Sequence, residues 1–419
     1  MTKGSGLLRN KYSIVGIGET EFSRNSGRTT RAMGSEAIKK AIDDSGLDYA
    51  NTSWGITCYA AGGDAAGSES IASDVGIRLD WQADTMGGGS STETLIAVAL
   101  GVLESGAVDA MILYRSMNGR TGLRMGGNPP TGVRELAPWV AMQGGNVNAM
   151  QMYGIASPLN MFSLAAVRHM HEYGTTSEQL AHVKVAHSYH ASNNPKAYYK
   201  QRLTVDDVMN SRYIARPFHL LDCCVETDNA VAVVITDTER AKSLRHKPVA
   251  IKGNAGRSHR WAPDYHWNHG PVPRSGGIYA GPIVFANAGI GPDDIDATGS
   301  YDAFTFTAML QLEGFGFCKF GEGGDYISDG TIFLGGRRPN NTSGGHLCET
   351  YTHGMNMVTE NVRQLRGEVD DYCPNWQNGE HTYDYSEGKC RALKNPVHTM
   401  NMGWAQPATA SAMILTNDI

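Results

Sequence analysis

The sequence is poor in the features that stabilise secreted domains or anchor a chain in a membrane. It contains seven cysteines, an odd number with irregular spacing, which favours reduced and mostly buried thiols over a disulfide framework. No apolar run reaches the roughly 18 residues that a transmembrane helix needs. The first residues, Met1 to Gly6, lack the apolar core of a secretion signal. We therefore expect a cytoplasmic protein that does not insert into a membrane.

Basic residues are also too few and too scattered for nucleic-acid binding. Lys and Arg number 36 against 42 Asp and Glu, a net charge of −6, and no basic run is present. Gly16-Ile17-Gly18 lacks the third glycine of a dinucleotide fingerprint, and no Gly-x-Ser-x-Gly turn occurs. The spacing of Cys373, His381 and Cys390 fits no zinc pattern, so no metal and no resident cofactor are expected on this chain.

Glycine is abundant instead, and strand and helix signals alternate along two stretches of the chain. The 50 glycines cluster in pairs such as Gly88-Gly89 and Gly344-Gly345, where backbone can approach a ligand closely. The alternation predicts an α/β fold with buried strands. Its two series run in the same order, which indicates two related halves. The predicted strands are 12–17, 54–60, 108–114, 230–236, 249–253, 298–302, 397–403 and 410–416, and the predicted helices are 29–45, 69–79, 91–103, 162–173, 177–193, 238–244, 279–288, 304–314 and 355–366.

The boundaries of these halves follow from the places where the alternation stops and resumes. Residues 1–115 with 217–246 form the predicted N-terminal half, and residues 247–419 form the C-terminal half. Residues 116–216, rich in Gly, Asn, Met and His, are predicted to be an inserted loop domain laid over one end of the sheet. Residues 372–394 are polar and rich in Tyr and Asp, and they are predicted to be a surface excursion.

Four motifs together resemble the thiolase superfamily over nearly the whole chain. They are the opening strand Ile14 to Phe22, the run Gly88-Gly89-Ser90-Ser91 before an apolar helix, the block Leu221-Asp222-Cys223-Cys224 to Ala230, and the run Asn341 to Tyr351. The resemblance implies a thiolase fold with two βαβαβαββ halves in a layered αβαβα core. It also implies a homodimer formed through that core.

The residues that a thiolase uses for acyl transfer are replaced at three positions. Tyr351 stands where the thiolase motif has its catalytic His, and Tyr301 stands where sterol-carrier-type thiolases have the His of His-Asp-Cys-Phe. Gly89-Ser90 stands where the nucleophilic Cys is expected. This combination is similar to the steroid side-chain-cleaving aldolases. That likeness implies retro-aldol cleavage of a steroid β-hydroxyacyl-CoA to a 17-ketosteroid and propionyl-CoA. It further implies a heteromeric assembly, such as a heterotetramer, with an OB-fold/zinc-ribbon companion that would carry any zinc.

Retro-aldol cleavage requires two proton-transfer groups and one site for a developing oxyanion. On the family likeness we assign Tyr351 as the base and Tyr301 as the proton donor, and the two roles could be reversed. Backbone N–H groups near Gly89-Ser90 and at Gly403 are the candidates for the oxyanion site. Asp302, Asn341 and His346 are the candidate supporting residues. Arg120, Arg124, Lys184 and Arg216 are available cations for the CoA phosphates, and the sequence does not choose among them.

Two other functions remain open from the sequence. A thiolytic or condensing thiolase would use Ser90 with an adjacent base, or Cys348, as its nucleophile. The second alternative is a non-catalytic subunit that carries acyl-CoA or lipid.

Overall fold

The computed structural model describes residues 5–60, 66–122, 153–155, 157–258, 273–376, 379–406 and 409–419. The strands are β1 (Tyr12–Glu19), β2 (Trp54–Ala60), β3 (Leu79–Gln82), β4 (Thr85–Met86), β5 (Ala110–Asn118), β6 (Tyr213–Ala215), β7 (Phe218–His219), β8 (Asp228–Asp237), β9 (Val249–Ser258), β10 (Ala297–Ser300), β11 (His398–Gln406) and β12 (Thr409–Thr416). The helices are α1 (Thr30–Ser45), α2 (Ser68–Val75), α3 (Ser91–Glu104), α4 (Pro158–Tyr173), α5 (Ser177–Ser192), α6 (Val205–Met209), α7 (Thr238–Ala241), α8 (Gly277–Ala288), α9 (Thr305–Gly314), α10 (Gly323–Ser328), α11 (Gly345–Cys348) and α12 (Met355–Arg366).

The main sheet contains the same strand pattern twice. Its order is β10-β11-β12-β9-β1-β8-β5-β2-β3, with β4 also paired to β2. In β2-β5-β8-β1 the successive pairs are parallel, antiparallel and antiparallel, and β10-β11-β12-β9 repeats those three relations. The two patterns join where β1 pairs antiparallel with β9. The predicted α/β fold of two related halves is confirmed.

Helices cover both faces of each half, which gives the expected layers. The central layer holds α3 and α12, whose apolar residues share one core with side chains of β5, β8, β9 and β12. A second core lies under α1 and α2, and a third lies under α8 and α9. In β5, Leu113 faces the central core while Ile112 faces the α1 core, because successive side chains of a strand point to opposite faces.

Local signals set most element boundaries as predicted. The Thr29 side chain accepts a hydrogen bond from the Ala32 N–H at the start of α1, and Gly46 ends that helix with a φ of 72°. Strand β2 and helix α12 have their predicted bounds. The predicted helix 69–79 was too long, because Gly76 adopts a φ of 77° and ends α2 at Val75. The chain then extends into β3, an edge strand that the sequence analysis missed.

The inserted segment, residues 116–216, contacts the glycine-rich run of the second half through its helix α5. Its residues 123–152 and 156, and with them Arg124, lie outside the described residues. Helix α5 is largely buried against the glycine-rich run of the second half. Its Lys184 Nζ donates to the Leu347 carbonyl at 2.5 Å, and its His190 Nδ1 lies 3.1 Å from the Asn341 carbonyl oxygen. The polar residues of this helix therefore help to hold the loop that follows Asn341.

The predicted surface excursion at 372–394 is wrong for its last part. Cys390, Arg391 and Ala392 are buried. The Asp370 carboxylate accepts hydrogen bonds from the backbone N–H groups of Arg391 and Ala392, at 2.9 Å and 3.1 Å. A buried carboxylate with these partners pulls a polar stretch of sequence into the interior, which composition alone did not indicate. Across the described ranges, the helices are too short or too polar to cross a bilayer.

A buried ion pair connects the first strand to the last long helix. Glu19, at the end of β1, accepts hydrogen bonds from both terminal nitrogens of Arg363 on α12, at 3.0 Å and 2.8 Å. Lys196 Nζ lies 3.1 Å from the same carboxylate. Burial alone would raise the pKa of Glu19, but the two cations hold that pKa well below its usual range.

Replacing Arg363 with Ala is expected to lower the free energy of unfolding by about 3 kcal/mol, because it removes the bidentate partner of a buried charge. Since the pKa of Glu19 is depressed in the folded protein, the difference from wild type is full above the ordinary Glu pKa of about 4.3 and shrinks as the pH falls below it. Denaturant titration at pH 7 and pH 4 measures both effects. Arg31→Ala, which removes an exposed pair with Asp74, serves as the control and is expected to cost less than about 1 kcal/mol. Equal losses in the two variants would contradict the expectation.

Candidate active site

Two tyrosines fifty residues apart in the chain meet at the centre of the site. Tyr301 follows β10 directly, and its backbone N–H donates to the Met402 carbonyl of β11 at 2.9 Å. Tyr351 lies just beyond α11. The two phenolic oxygens are 2.5 Å apart, a short hydrogen bond in which either oxygen can be the donor. The structure thus brings together the two residues that the sequence analysis chose as the proton-transfer pair.

Asn341 attaches the glycine-rich run to the end of β10. Its side-chain oxygen accepts from the Ser300 N–H at 2.8 Å, and its side-chain nitrogen donates to the Ser300 carbonyl at 2.9 Å. Its own φ is 52°, a conformation that Asn tolerates better than most residues. Gly345 follows with a φ of 58°, and a Cβ there would lie 2.3 Å from the Asp302 carboxylate. Asn341 therefore holds the loop, and Gly345 is required by the close approach.

The carboxylate of Asp302 binds the start of α11. It accepts from the N–H groups of His346 and Leu347, at 2.8 Å and 3.2 Å. Nδ1 of His187 lies 2.9 Å from the same carboxylate. Burial would raise the pKa of Asp302, but the hydrogen bond to His187 and the backbone N–H of His346 keep that pKa below its usual value. Asp302 is therefore an ionised anchor of the loop that leads to Tyr351.

His346 packs against both phenol rings and keeps its nitrogens for other partners. Its ring centroid lies 4.9 Å from that of Tyr301 and 4.9 Å from that of Tyr351. Nε2 accepts from the Gly354 N–H at 2.9 Å, so in the neutral ring the proton is on Nδ1, facing Asp302 at 3.3 Å. Burial lowers the pKa of His346 to about 4. The imidazole of His346 is therefore neutral and serves as a packing surface for the two phenol rings.

Gly89 lies at the position expected for a nucleophile, and the ring of Tyr301 fills the space beside it. A Cβ on Gly89 would lie 2.4 Å from Cζ of Tyr301 and 2.2 Å from the Trp404 carbonyl oxygen. Ser90 is fully buried and lies outside the described cavity wall. Cys348 is also buried, and burial raises the pKa of its thiol. Within the described residues, none of these three positions presents a thiolate or an activated hydroxyl to the cavity.

Gly403, the other candidate for the oxyanion site, lies behind Gly89. A Cβ on Gly403 would lie 2.2 Å from the Glu93 carboxylate and 2.9 Å from the Gly89 carbonyl oxygen. Gly403 itself is a residue of β11 paired with Ser411 of β12. Gly89 lines the cavity and Gly403 does not belong to the described wall.

The site opens into a cavity of about 900 Å³ with an apolar and a cationic part. Its wall includes Gly89, Tyr301, Tyr351 and His353, the apolar side chains of Leu159, Phe162, Ile214, Leu220 and Phe304, and the cations Arg24, Arg120, Lys184 and Arg212. Of the four cations named from the sequence, Arg120 and Lys184 line this cavity. Arg216 instead stacks over the ring of Tyr213, 4.7 Å from its centroid.

The contact between His353 and Arg115 was not expected from the sequence. Arg115 is fully buried near the end of β5, and its Nε donates to Nδ1 of His353 at 3.2 Å. A lone Arg after the apolar run 110–114 was the available signal, because an arginine is rarely buried without a specific partner. Cys223 and Cys224 also line the cavity, which the general expectation of mostly buried thiols did not indicate. Burial raises the pKa of Cys223 to about 12, so it lines the wall as a neutral thiol.

Burial raises the pKa of both site tyrosines above the ordinary phenol value of 10. Apolar and aromatic neighbours surround the pair, and each phenolate would lose its hydration there. Both phenols are therefore neutral at pH 7. Any role of the pair in proton transfer must therefore work with two neutral hydroxyl groups.

These features define a protein of the thiolase fold in which phenols replace the histidines and no side chain occupies the nucleophile position. Residues 271–383 match the family model described as thiolase C-terminal domain-like. The 17-hydroxy-3-oxo-4-pregnene-20-carboxyl-CoA lyase of Mycobacterium tuberculosis is 38% identical over 86% of this chain and 93% of that protein. The steroid side-chain-cleaving aldolase of Thermomonospora curvata is 39% identical over 86% of this chain and 92% of that protein.

A solved structure described as an Ltp2-ChsH2(DUF35) aldolase superposes with a TM-score of 0.82, at 32% identity and 98% coverage of both chains. The chain belongs to the steroid side-chain-cleaving aldolases of the thiolase superfamily. It is thus an enzyme, a carbon–carbon lyase that acts on a CoA thioester. The resemblance predicted from the four sequence motifs is confirmed.

Gly89→Ala is expected to lower the free energy of unfolding by about 1–3 kcal/mol and to displace the Tyr301 ring, because the new methyl group overlaps that ring and a backbone carbonyl. Gly101→Ala, in the interior of α3 with open space around its Cβ, is the matched control. It is expected to be neutral or to stabilise by up to about 1 kcal/mol through helix propensity. Denaturant titration compares the variants, and an unchanged stability of Gly89→Ala would show that the space is not occupied.

Proposed function

We propose that this protein cleaves a 17-hydroxy steroid β-hydroxyacyl-CoA into a 17-ketosteroid and propionyl-CoA. The observation that supports this most is the pair of hydrogen-bonded phenols in a site without a nucleophile. The names of the two aldolase relatives give the substrate class. The bond that breaks joins Cα of the thioester to Cβ, the carbon that bears the hydroxyl group.

The spacing of the two phenols suits a proton relay. The hydroxyl oxygen and Cα of the substrate are two bonds apart, or about 2.5 Å at ordinary bond lengths. The phenolic oxygens are 2.5 Å apart, so each can face one reacting atom. Tyr351 takes the hydroxyl proton and passes its own proton to Tyr301, and Tyr301 delivers its proton to Cα. The electron pair of the O–H bond forms the second C–O bond of the ketone. The electron pair of the Cα–Cβ bond passes to the thioester as an enolate, and the proton from Tyr301 converts that enolate to propionyl-CoA.

This relay accounts for the burial of the pair. No free phenolate has to form, so raised phenol pKa values do not oppose the reaction. Tyr351 acts as the base and Tyr301 as the acid, while both begin and end neutral. Asp302, Asn341 and His346 support the reaction by fixing the loop and the rings, as their contacts indicate. The backbone N–H at Gly89 remains the candidate that binds the thioester oxygen.

Acyl transfer is disfavoured by the same geometry. A thiolase holds the acyl group on a cysteine, and the space beside Gly89 is taken by Tyr301. Ser90 lies outside the described wall, and burial raises the pKa of the Cys348 thiol. A purely carrying role for this chain has no observation in its favour, and tyrosine variants distinguish it from catalysis.

The two parts of the cavity suit the two parts of such a substrate. Leu159, Phe162 and Phe304 provide apolar contact for a steroid skeleton. Arg24, Arg120 and Arg212 suit the phosphates of CoA. The cavity volume of about 900 Å³ is at the upper end of the range for small-molecule sites.

A companion protein is part of the proposal. The solved aldolase structure that superposes on this chain is described together with ChsH2(DUF35). We expect this chain to work with a companion of the OB-fold/zinc-ribbon type, which would hold any zinc, and to form a homodimer through its core. The assembly would then be a heterotetramer.

Tyr301→Phe and Tyr351→Phe are each expected to reduce ketone release by at least about 100-fold, because either change breaks the relay. The measurement is chromatographic detection of 17-ketosteroid and propionyl-CoA after incubation with a steroid β-hydroxyacyl-CoA, with the companion present. Tyr153→Phe, at an exposed position, is the control and should retain full activity. Unchanged release in Tyr351→Phe would favour the carrier role, and a covalent acyl adduct on the wild-type chain would favour acyl transfer.

The pH profile distinguishes the relay from a phenolate base. Because burial raises both phenol pKa values, the neutral forms predominate up to about pH 9, so the relay predicts a kcat that is nearly flat from pH 6 to pH 9. A phenolate base with a pKa above 10 would instead give a kcat that rises about tenfold per pH unit over that range. Steady-state rates with saturating substrate make the comparison, and a slope of one would contradict the relay.

A further inference from the structure

His353 carries a hydrogen-bond donor that the contacts described so far leave unused. The residue is fully buried, yet it is part of the cavity wall together with Tyr301 and Tyr351. Its ring centroid lies 4.9 Å from that of Tyr351, and its ring plane is within 4° of parallel to that of Tyr301 at 6.5 Å. Nε2 of His353 has no hydrogen-bond partner within the described residues. Buried polar atoms without a partner are uncommon, and they point to a missing ligand when they occur in a site.

The protonation state of this imidazole follows from its other nitrogen. Arg115 Nε donates to Nδ1 at 3.2 Å, and a guanidinium has no acceptor, so Nδ1 must present its lone pair. In the neutral ring the proton is then on Nε2. Burial and the positive charge of Arg115 lower the pKa of His353 well below its usual value, so the ring remains neutral. His353 is thus a fixed N–H donor and not an acid or a base.

The backbone at this position is unfavourable without a compensating role. His353 has a φ of 56°, in the left-handed region that most non-glycine residues avoid. The carbonyl of His353 is held by Thr92 Oγ1 at 2.9 Å and by Tyr59 Oη at 3.1 Å, so the strained conformation is fixed from the first half of the fold. Such fixed, strained residues cluster in functional sites.

We propose that Nε2–H of His353 binds the thioester oxygen of the substrate and stabilises the enolate as the Cα–Cβ bond breaks. This role rests on the proposed retro-aldol function. The relay uses both phenols for proton transfer, which leaves the negative charge on the thioester oxygen to be met by another donor. A neutral imidazole N–H, kept neutral by its surroundings, is an established electrophile for enolate chemistry. His353 would act there with the backbone N–H at Gly89, and Arg115 is the positioning residue that fixes the tautomer.

The test compares variants that remove or keep a donor at position 353. His353→Phe keeps a ring without the N–H, and His353→Gln places an amide N–H near the position of the Nε2 donor. His353→Phe is expected to lower kcat for ketone release by about 100-fold or more with KM changed less than about fivefold. His353→Gln is expected to retain at least about ten times the kcat of the Phe variant. If His353→Phe unfolds below the assay temperature, His353→Gly replaces it, because glycine suits this backbone and also lacks the donor.

A partial reaction isolates the enolate step. Wild-type protein with its companion, incubated with propionyl-CoA in D₂O, is expected to exchange the Cα hydrogens for deuterium, and the donor-free variant is expected to lose that exchange in parallel with kcat. A donor-free variant with kcat and exchange within threefold of wild type would overturn the role of His353. An equal loss in the Gln and donor-free variants would also overturn it, since a structural role predicts that result. Absence of ketone release from wild type would instead contradict the proposed function itself.

Discussion

The position of Asp302 is the constraint on which the site depends. It is the covalent neighbour of Tyr301, and its buried carboxylate binds the first backbone N–H groups of the helix that leads to Tyr351. One residue therefore links the end of β10 to the loop that carries the second phenol. Asn341 adds a second link by pairing with Ser300. Together they set the 2.5 Å distance between two oxygens that lie on separate parts of the chain.

The rest of the second half supports this arrangement from outside. The loop after Asn341 is too rich in glycine to hold itself, and helix α5 of the inserted segment supplies the missing polar partners through Lys184 and His190. The first half contributes Gly89 and Arg115 at the ends of its own elements. The site therefore takes residues from both halves of the repeated sheet, and neither half forms it alone.

The repeat and most elements could be predicted from the sequence, and the two tyrosines it singled out lie 2.5 Å apart in the structure. Helix caps such as Thr29 and Gly46 depend only on neighbouring residues, so they can be predicted from the sequence. Edge strand β3 was missed because it has only four residues with an alternating pattern, which the preceding helix signal obscured. The burial of Arg391 depends on Asp370 and Glu360, which are distant in sequence. The role of Arg115 depends on a histidine 238 positions later, and no spacing rule connects the two.

The close contact between Gly89 and Tyr301 makes these two positions dependent on each other. A Cβ at position 89 and the ring of Tyr301 in its present position cannot share the same space, since even a methyl group would overlap the ring. A chain of this fold with a cysteine at position 89 could therefore not hold a tyrosine ring where Tyr301 lies. A side chain at the first position and a phenol at the second are alternatives for one volume, so a change at either position limits what the other can be.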